Sequence, residues 1–210
     1  MKINNELKSY IEKNIFPSYS KNDLGHNIDH INYVIERSLK FAKEVPDINY
    51  DMVYTIAAYH DIGHYIDAKN HEKVSGDILY NDSKLREFFK EEEINIMKEA
   101  VYDHRASLKT EPRSIYGKIV SSADRNTNVD AILKRAYAYR IEHNPDYTID
   151  EIIEESYEHI KNKFGKSGYA SNKMYFKDRD FLNFLDSVAS LVENKDEFKN
   201  RFCKVNNIVL

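Results

Sequence analysis

The sequence predicts an all-α protein, a compact bundle of many helices. Apolar residues recur at intervals of three and four along most of the chain, whereas no pattern of period 2 persists anywhere. Only 6 glycines and 4 prolines interrupt the 210 residues, which favours long helices. A hydrophobic content of 41% with a charged content of 31% is typical of a globular chain that buries a sizeable core.

Each helix is predicted from a run of apolar residues at helical spacing between turn or proline signals. Pro17 ends the first helix, Pro46 follows the second, and Gly63 supplies a stop signal for the third. Asn70 is available as the N-cap of a helix that begins near His71. In chain order the predicted helices cover residues 3–16, about 26–43, about 50–62, from about 71, 84–89, 91–104, about 114–126, 129–143, 148–164 and 178–193.

The helix over residues 91–104 has the clearest pattern. Its straight apolar seam consists of Ile94, Met97, Val101 and His104. Three glutamates in its first turn suit the N-terminal end of the helix dipole. Residues 165–173 lack such a seam and are expected to form a flexible loop.

Charge and composition exclude several classes of protein. A net charge of −4 provides no overall field that attracts nucleic acid or an anionic membrane. The single Cys203 cannot support a disulfide framework or a cysteine zinc knuckle. No run approaches the ~18 apolar residues of a membrane span, and the N-terminus lacks the apolar core of a signal peptide. We therefore expect a cytoplasmic protein with no nucleic-acid partner and no membrane partner.

Four of the predicted helices each bring a histidine or an aspartate to, or beside, an apolar face. These residues are His30, the adjacent pair His60 and Asp61, His104, and Asp124. An ionised carboxylate is costly to bury alone, so such positions indicate charged partners or a metal. Because adjacent helical residues point about 100° apart, His60 and Asp61 can both reach a centre between helices. The two oxygens of Asp61 can then bridge a pair of ions.

The order of these residues resembles the H…HD…D signature of the HD superfamily of metal-dependent phosphohydrolases. The local sequences HINYVIERSLKFA, AAYHDIGH and IVSSADRN agree with it. The family is all-helical, and the resemblance implies that four residues are metal ligands: His30, His60, Asp61 and Asp124. It also implies an organisation in which residues 26–127 form the HD metal-binding core. An N-terminal helix and loop, residues 1–25, would pack on this core, and the helices of residues 128–210 would complete the same domain.

Some subgroups of this superfamily carry two further histidines and bind a second metal. His71 and His104 stand at the corresponding places in this chain. The resemblance then implies one ion at His30, His60 and Asp124, a second ion at His71 and His104, and Asp61 as the bridge. Two alternatives remain open at this point: His104 as an ordinary histidine at a helix end, and His71 as an exposed residue at a helix start.

The expected activity is hydrolysis of a phosphomonoester or phosphoanhydride of a nucleotide or another small phosphorylated metabolite. Asp61 and His60 are the expected catalytic residues, and one or two divalent ions (Fe, Mn, Mg or Zn) would activate the attacking water. A di-iron oxygenase with the same ligands and a non-catalytic metal-containing binding module are the alternatives.

Side chains that can donate hydrogen bonds to phosphate are needed beside such a site. The candidates are His26, His64, Arg105, Arg125, Lys166 and Lys173. His26 and His64 can equally be ordinary surface histidines. His64 replaces the lysine that often follows the HD pair in the family, and the chain lacks the GYP motif of the cyclic-dinucleotide phosphodiesterases.

Overall fold

The computed structural model describes residues 2–23, 25–170 and 174–209. Within these ranges all regular secondary structure is helical, which confirms the all-α prediction. Contacts between Cα atoms divide the chain into two units, Met1–Asp124 and Arg125–Leu210. That residues 128–210 complete the same domain as residues 26–127 stays a prediction. No described helix has the length and apolar character that a membrane crossing requires.

The first unit contains six α-helices and two short 3₁₀ helices among its described residues. In chain order these are α1 Asn5–Asn14, the 3₁₀ helix Phe16–Lys21, α2 Ile28–Ala42, α3 Tyr50–Tyr59, α4 His71–Asn81, the 3₁₀ helix Ser83–Glu87, α5 Glu91–Tyr102 and α6 Ile115–Ala123. The second unit contains α7 Val129–His143, α8 Ile149–Phe164, α9 Arg179–Glu193 and α10 Lys195–Val205.

Helix α3 is the centre of the first unit. Every residue from Met52 to Tyr59 is buried, so this helix is enclosed on all sides rather than on one stripe. It packs against α1, α2, α4, α5 and α6. Its last turn leads into His60 and Asp61, both of which are also buried. The pair therefore lies in the buried interior of the unit.

Asparagine side chains set the starts of two helices around the centre. The Asn27 carboxamide oxygen accepts hydrogen bonds from the backbone N–H groups of Asp29 and His30. Asn49 does the same for Asp51 and Met52 at the start of α3. Asparagine is among the preferred N-cap residues because it satisfies otherwise unpaired N–H groups. Because Asn27 is the cap, α2 begins after His26 and not at it.

Two predictions about helix ends are wrong in detail. Helix α3 ends at Tyr59, before Gly63, and turns follow it to Ile66. Gly63 is needed for a close approach instead, since a Cβ there would lie 2.7 Å from a methyl of Val74 and 2.9 Å from the Ser75 nitrogen. Asn70 precedes α4 but its side chain does not cap it; its amide donates to Asp67 at 2.8 Å.

The second unit has its own aromatic core. Its five buried phenylalanines among the described residues are Phe164, Phe181, Phe184, Phe198 and Phe202. Phe198 and Phe202 lie on α10, a helix that the sequence analysis missed. This helix has the sequence KDEFKNRFCKV. Its buried stripe consists of two phenylalanines and Cys203 only, and the many charged residues make the apolar pattern difficult to recognise.

Candidate metal centre

The Asp61 carboxylate lies in the middle of four imidazoles. Its Oδ2 atom is 3.4 Å from the Nε2 of His30 and 3.2 Å from the Nε2 of His60. Its Oδ1 atom is 3.3 Å from the Nε2 of His71 and 3.4 Å from the Nε2 of His104. Each carboxylate oxygen thus faces a different pair of histidines.

We call His30, His60, Asp61 and Asp124 the first ligand group, and Asp61, His71 and His104 the second ligand group. The ligand atoms of His30, His60 and Asp61 lie within 4.8 Å of one another, as do those of the second group. Asp124 joins the first group through His30, whose Nε2 is 3.2 Å from its Oδ1. The structure therefore brings together all six residues that the resemblance singled out.

The ends of helices, rather than their middles, supply these side chains. His30 is the third residue of α2 and His71 the first residue of α4. His60 and Asp124 are the C-cap residues of α3 and α6. His104 lies two residues beyond the last residue of α5, although the prediction placed it inside that helix.

Three of the histidines are oriented by the same kind of hydrogen bond. The Nδ1 atoms of His60, His71 and His104 lie 2.8, 2.9 and 2.6 Å from backbone carbonyl oxygens. In each case the acceptor is the residue three positions earlier in the chain. A proton on Nδ1 leaves the Nε2 lone pair directed at Asp61, which is how metal-ligating histidines are commonly prepared.

Two observations show that these residues fit a divalent cation. The Asp61 Oδ1 atom is buried and has no hydrogen-bond partner, which is costly for an ionised carboxylate. The Nε2 atoms of His30 and His60 face each other at 3.4 Å. Convergent imidazole nitrogens and carboxylate oxygens suit zinc, iron or manganese.

The pKa values in the two ligand groups shift in ways that reflect their charges. Burial disfavours charge on His30, but Asp124 and Asp61 outweigh it and raise the pKa of its imidazole to about 9. Burial also disfavours charge on Asp61, but the surrounding imidazoles hold the pKa of this carboxyl well below its usual range. For His71, burial dominates and lowers the pKa of the ring, so this imidazole is neutral at neutral pH. The carboxylates thus favour positive charge at His30 and at His104, whose pKa is also raised, but not at His71.

Asn22 holds the loop that carries Asp61. Its side-chain amide donates to the carbonyl oxygens of Asp61 and His26, at 3.0 Å each. Its carboxamide oxygen accepts from the backbone N–H of Tyr65, also at 3.0 Å. One side chain therefore joins the start of α2 to both ends of the turn after α3. Sequence reasoning missed this residue, because no local pattern marks an asparagine that bonds across distant segments.

Two ion pairs support the segments that carry the second ligand group. Arg105 donates to the Lys69 carbonyl oxygen at 2.8 Å and to Glu72 at 3.0 Å, which links the residue after His104 to the start of α4. Arg113 binds both oxygens of the buried Asp103 at 2.8 and 2.9 Å. A bidentate arginine fixes the geometry of its carboxylate partner, here the residue before His104.

The predicted substrate-binding residues are spread over both units. His26 and His64 lie in the first unit beside the second ligand group, with the ring of His64 centred 5.2 Å from that of His71. Arg105 is the residue that is paired with Glu72. Arg125 is the first residue of the second unit and is buried. In that unit Lys166 is exposed and paired with Glu193, and Lys173 lies outside the described residues.

The sequence profile of the HD domain matches residues 27–128. This segment is an HD domain. The match confirms the resemblance to the HD superfamily that the histidines and aspartates predicted.

The chain is similar to one solved structure, described as a predicted HD superfamily hydrolase from an uncultured Thermotogales bacterium. The two sequences are 21% identical, the alignment covers 74% of this chain and 85% of that chain, and the TM-score is 0.47. No curated protein matches the sequence. The family assignment therefore rests on the HD domain match.

Proposed function

We propose that the protein is a phosphohydrolase that uses two divalent ions to hydrolyse a phosphomonoester or phosphoanhydride of a nucleotide or another small phosphorylated metabolite. The observation that carries this proposal is the position of Asp61, with two imidazole nitrogens 3.2–3.4 Å from each side of its carboxylate. A shared carboxylate between two ligand groups suits a pair of ions, and paired ions suit in-line displacement at phosphorus.

The proposed role of the chain is to hold each ligand in a fixed direction. In the first ligand group His30, His60 and Asp124 would bind one ion, and in the second group His71 and His104 would bind the other. Asp61 would contact both. When bound, the ions would supply Lewis acidity toward phosphoryl oxygens and activate water at neutral pH. The backbone carbonyls behind three of the histidines keep their Nε2 atoms aimed inward.

Open positions on the ions are what distinguish this proposal from a structural metal site. Three protein ligands in the second group would leave a position for water or substrate, and four ligands in the first group would leave positions open on a six-coordinate ion such as Fe²⁺ or Mn²⁺, whereas a closed tetrahedral zinc site has none. In the first unit, His26 and His64 lie beside the second ligand group and are proposed to face the bound substrate. The assignment of Arg105, Arg125, Lys166 and Lys173 to substrate binding stays a prediction, as does a cytoplasmic location.

Phosphate release from a panel of phosphorylated metabolites tests this proposal directly. The protein would be stripped of metal, reloaded separately with Mn²⁺, Fe²⁺, Zn²⁺ or Mg²⁺, and assayed against nucleotides and sugar phosphates. We expect release by the loaded protein and none by His60→Ala, which removes a buried ligand. His143→Ala is the matched control, because it removes an exposed imidazole from the second unit.

Two results would contradict the phosphohydrolase. Oxygen consumption by the iron-loaded protein without phosphate release from any substrate would favour the di-iron oxygenase. Undiminished hydrolysis by a metal-free variant with both His60→Ala and Asp61→Ala would show that the ligand groups take no part in the reaction.

A further inference from the structure

A third group of ligand-type side chains lies beside the two ligand groups. Asp23, His26 and His64 each offer one ligand atom, and these atoms lie within 4.8 Å of one another. The Nδ1 of His26 is 2.8 Å from the Asp23 Oδ1, and the Nε2 of His64 is 3.9 Å from the Asp23 Oδ2. We propose that these three residues form a third site for a divalent cation of the Fe²⁺ or Zn²⁺ class.

The donor set is the first argument for this site. Two imidazoles and one carboxylate, with other positions left open, form a recognised ligand set for ferrous iron, and zinc accepts the same donors. The set also repeats the composition of the second ligand group, which has two histidines and one aspartate. One carboxylate and two neutral imidazoles leave a bound divalent ion with a net positive charge, and this charge would attract an anionic substrate.

The burial of the three side chains is the second argument. The side chains of His26 and His64 are only 11% and 12% exposed, although both belong to turns outside the helices. Their rings stack at 3.7 Å between centroids, which places both beside the same carboxylate. Asp23 is 49% exposed on its side chain, so solvent reaches the site from that side. An ion there could exchange and could keep water ligands.

The backbone around these residues is held in place independently of any ion. The Asp23 Oδ1 accepts a hydrogen bond from the Gly25 N–H at 2.7 Å. Asn22, next to Asp23 in the chain, bonds the carbonyl oxygens of His26 and Asp61. The segment that carries His26 and the turn after α3 are therefore joined by the same side chain that holds the backbone of Asp61.

The third site lies close to both ligand groups, and this position bears on the proposed function. The rings of His64 and His71 are centred 5.2 Å apart, and those of His26 and His30 are 6.0 Å apart. A cation at Asp23 would thus lie next to both ligand groups, on their more exposed side. It would be positioned to bind phosphate oxygens that the other ions do not contact.

Zinc stoichiometry after metal stripping and reloading tests the third site without any assay of hydrolysis. We would compare the wild type with His64→Ala and with Asp23→Asn, which keeps an oxygen for the Gly25 N–H but removes the charge. Bound zinc per chain would be measured by mass spectrometry after gel filtration, with folding checked by circular dichroism. His143→Ala and Asp29→Asn are the controls, since both remove exposed groups outside the cluster.

We expect His64→Ala and Asp23→Asn each to bind one zinc fewer per chain than the wild type, and both controls to match the wild type. Equal zinc counts in the wild type and both variants would overturn the third site. Loss of zinc in His64→Ala but not in Asp23→Asn would also overturn it, because His64 would then act on the second ligand group alone. A missing hydrolytic activity would leave these counts unchanged, so failure of the proposed function is distinguishable.

Discussion

The two ligand groups share one aspartate but differ in charge. The first group contains two carboxylates, Asp61 and Asp124, whereas the second group has only the shared Asp61. Asp124 and Asp61 raise the pKa of His30 to about 9, whereas in the second group the pKa of His104 is raised and that of His71 is lowered by burial. Because the first group holds two carboxylates and the second holds only the shared one, negative charge among the ligands is concentrated on the side of the first group. We expect the first group to bind its ion more tightly and the second group to load last.

Asp61→Asn should have the largest effect, because it removes charge from both ligand groups at once. We expect bound metal to fall below one ion per chain and phosphate release to fall by at least about 1,000-fold, as for loss of a principal electrostatic group. Elemental analysis and the phosphate assay would measure this. Asp146→Asn, which changes an exposed carboxylate in the turn between α7 and α8, is the control. Retention of two ions would mean that Asp61 is not shared.

His71→Ala should impair metal binding by the second ligand group and leave metal binding by the first group intact. The variant removes a ligand of the second group only, so we expect one tightly bound ion to remain while phosphate release falls at least about 100-fold. Calorimetric titration with Mn²⁺ would show the loss of the weaker binding step. If the tighter step disappeared instead, the order of affinities inferred from the carboxylates would be reversed.

Asn22→Ala should weaken both groups together, since Asn22 holds the backbone of Asp61 and not one particular imidazole. We expect metal affinity to fall about 10–100-fold, the usual effect of removing a residue that supports metal ligands. Asn81→Ala is a matched control, because that amide only donates to the Asp77 carbonyl oxygen. An effect on the first group alone would show that the bond to Tyr65, near the second group, has no influence.

Arg105→Ala should have the smallest effect, and only on the second group. The ion pair with Glu72 is partly exposed, and such pairs contribute about 0–1 kcal/mol. We therefore expect a change of about 2–5-fold in the weaker binding step and none in the tighter one. Lys84→Ala, which breaks the exposed pair with Glu87, should change neither step. A large loss would instead give Arg105 a direct part in binding substrate or metal.

Much of the first unit could be predicted from its sequence. Helical spacing located α1 to α6, and the apolar faces led to His30, His60 and Asp124. The predicted helix ends were less accurate, because side-chain caps and close packing determine where a helix begins and ends. His26 shows this: the cap at Asn27 removes it from α2, yet its ring still lies 6.0 Å from that of His30.

The supporting contacts of the centre could not be predicted. Asn22, Glu72 and Arg113 act through partners that are distant in the chain. The spacing of apolar residues along the sequence gives no information about such pairs. Helix α10 was missed for a different reason, because its charged residues outnumber the few that are buried. The grouping of Asp23 with His26 and His64 likewise depends on two turns that meet only in the folded chain.

The placement of the ligands at helix ends has a consequence for how such proteins can diverge. Each ligand lies within the first three residues of a helix or within two residues beyond its last. Loops tolerate changes in length and sequence far better than packed helices do. Insertions and deletions in the connecting loops can therefore alter ligand spacing while the helical core around α3 stays intact.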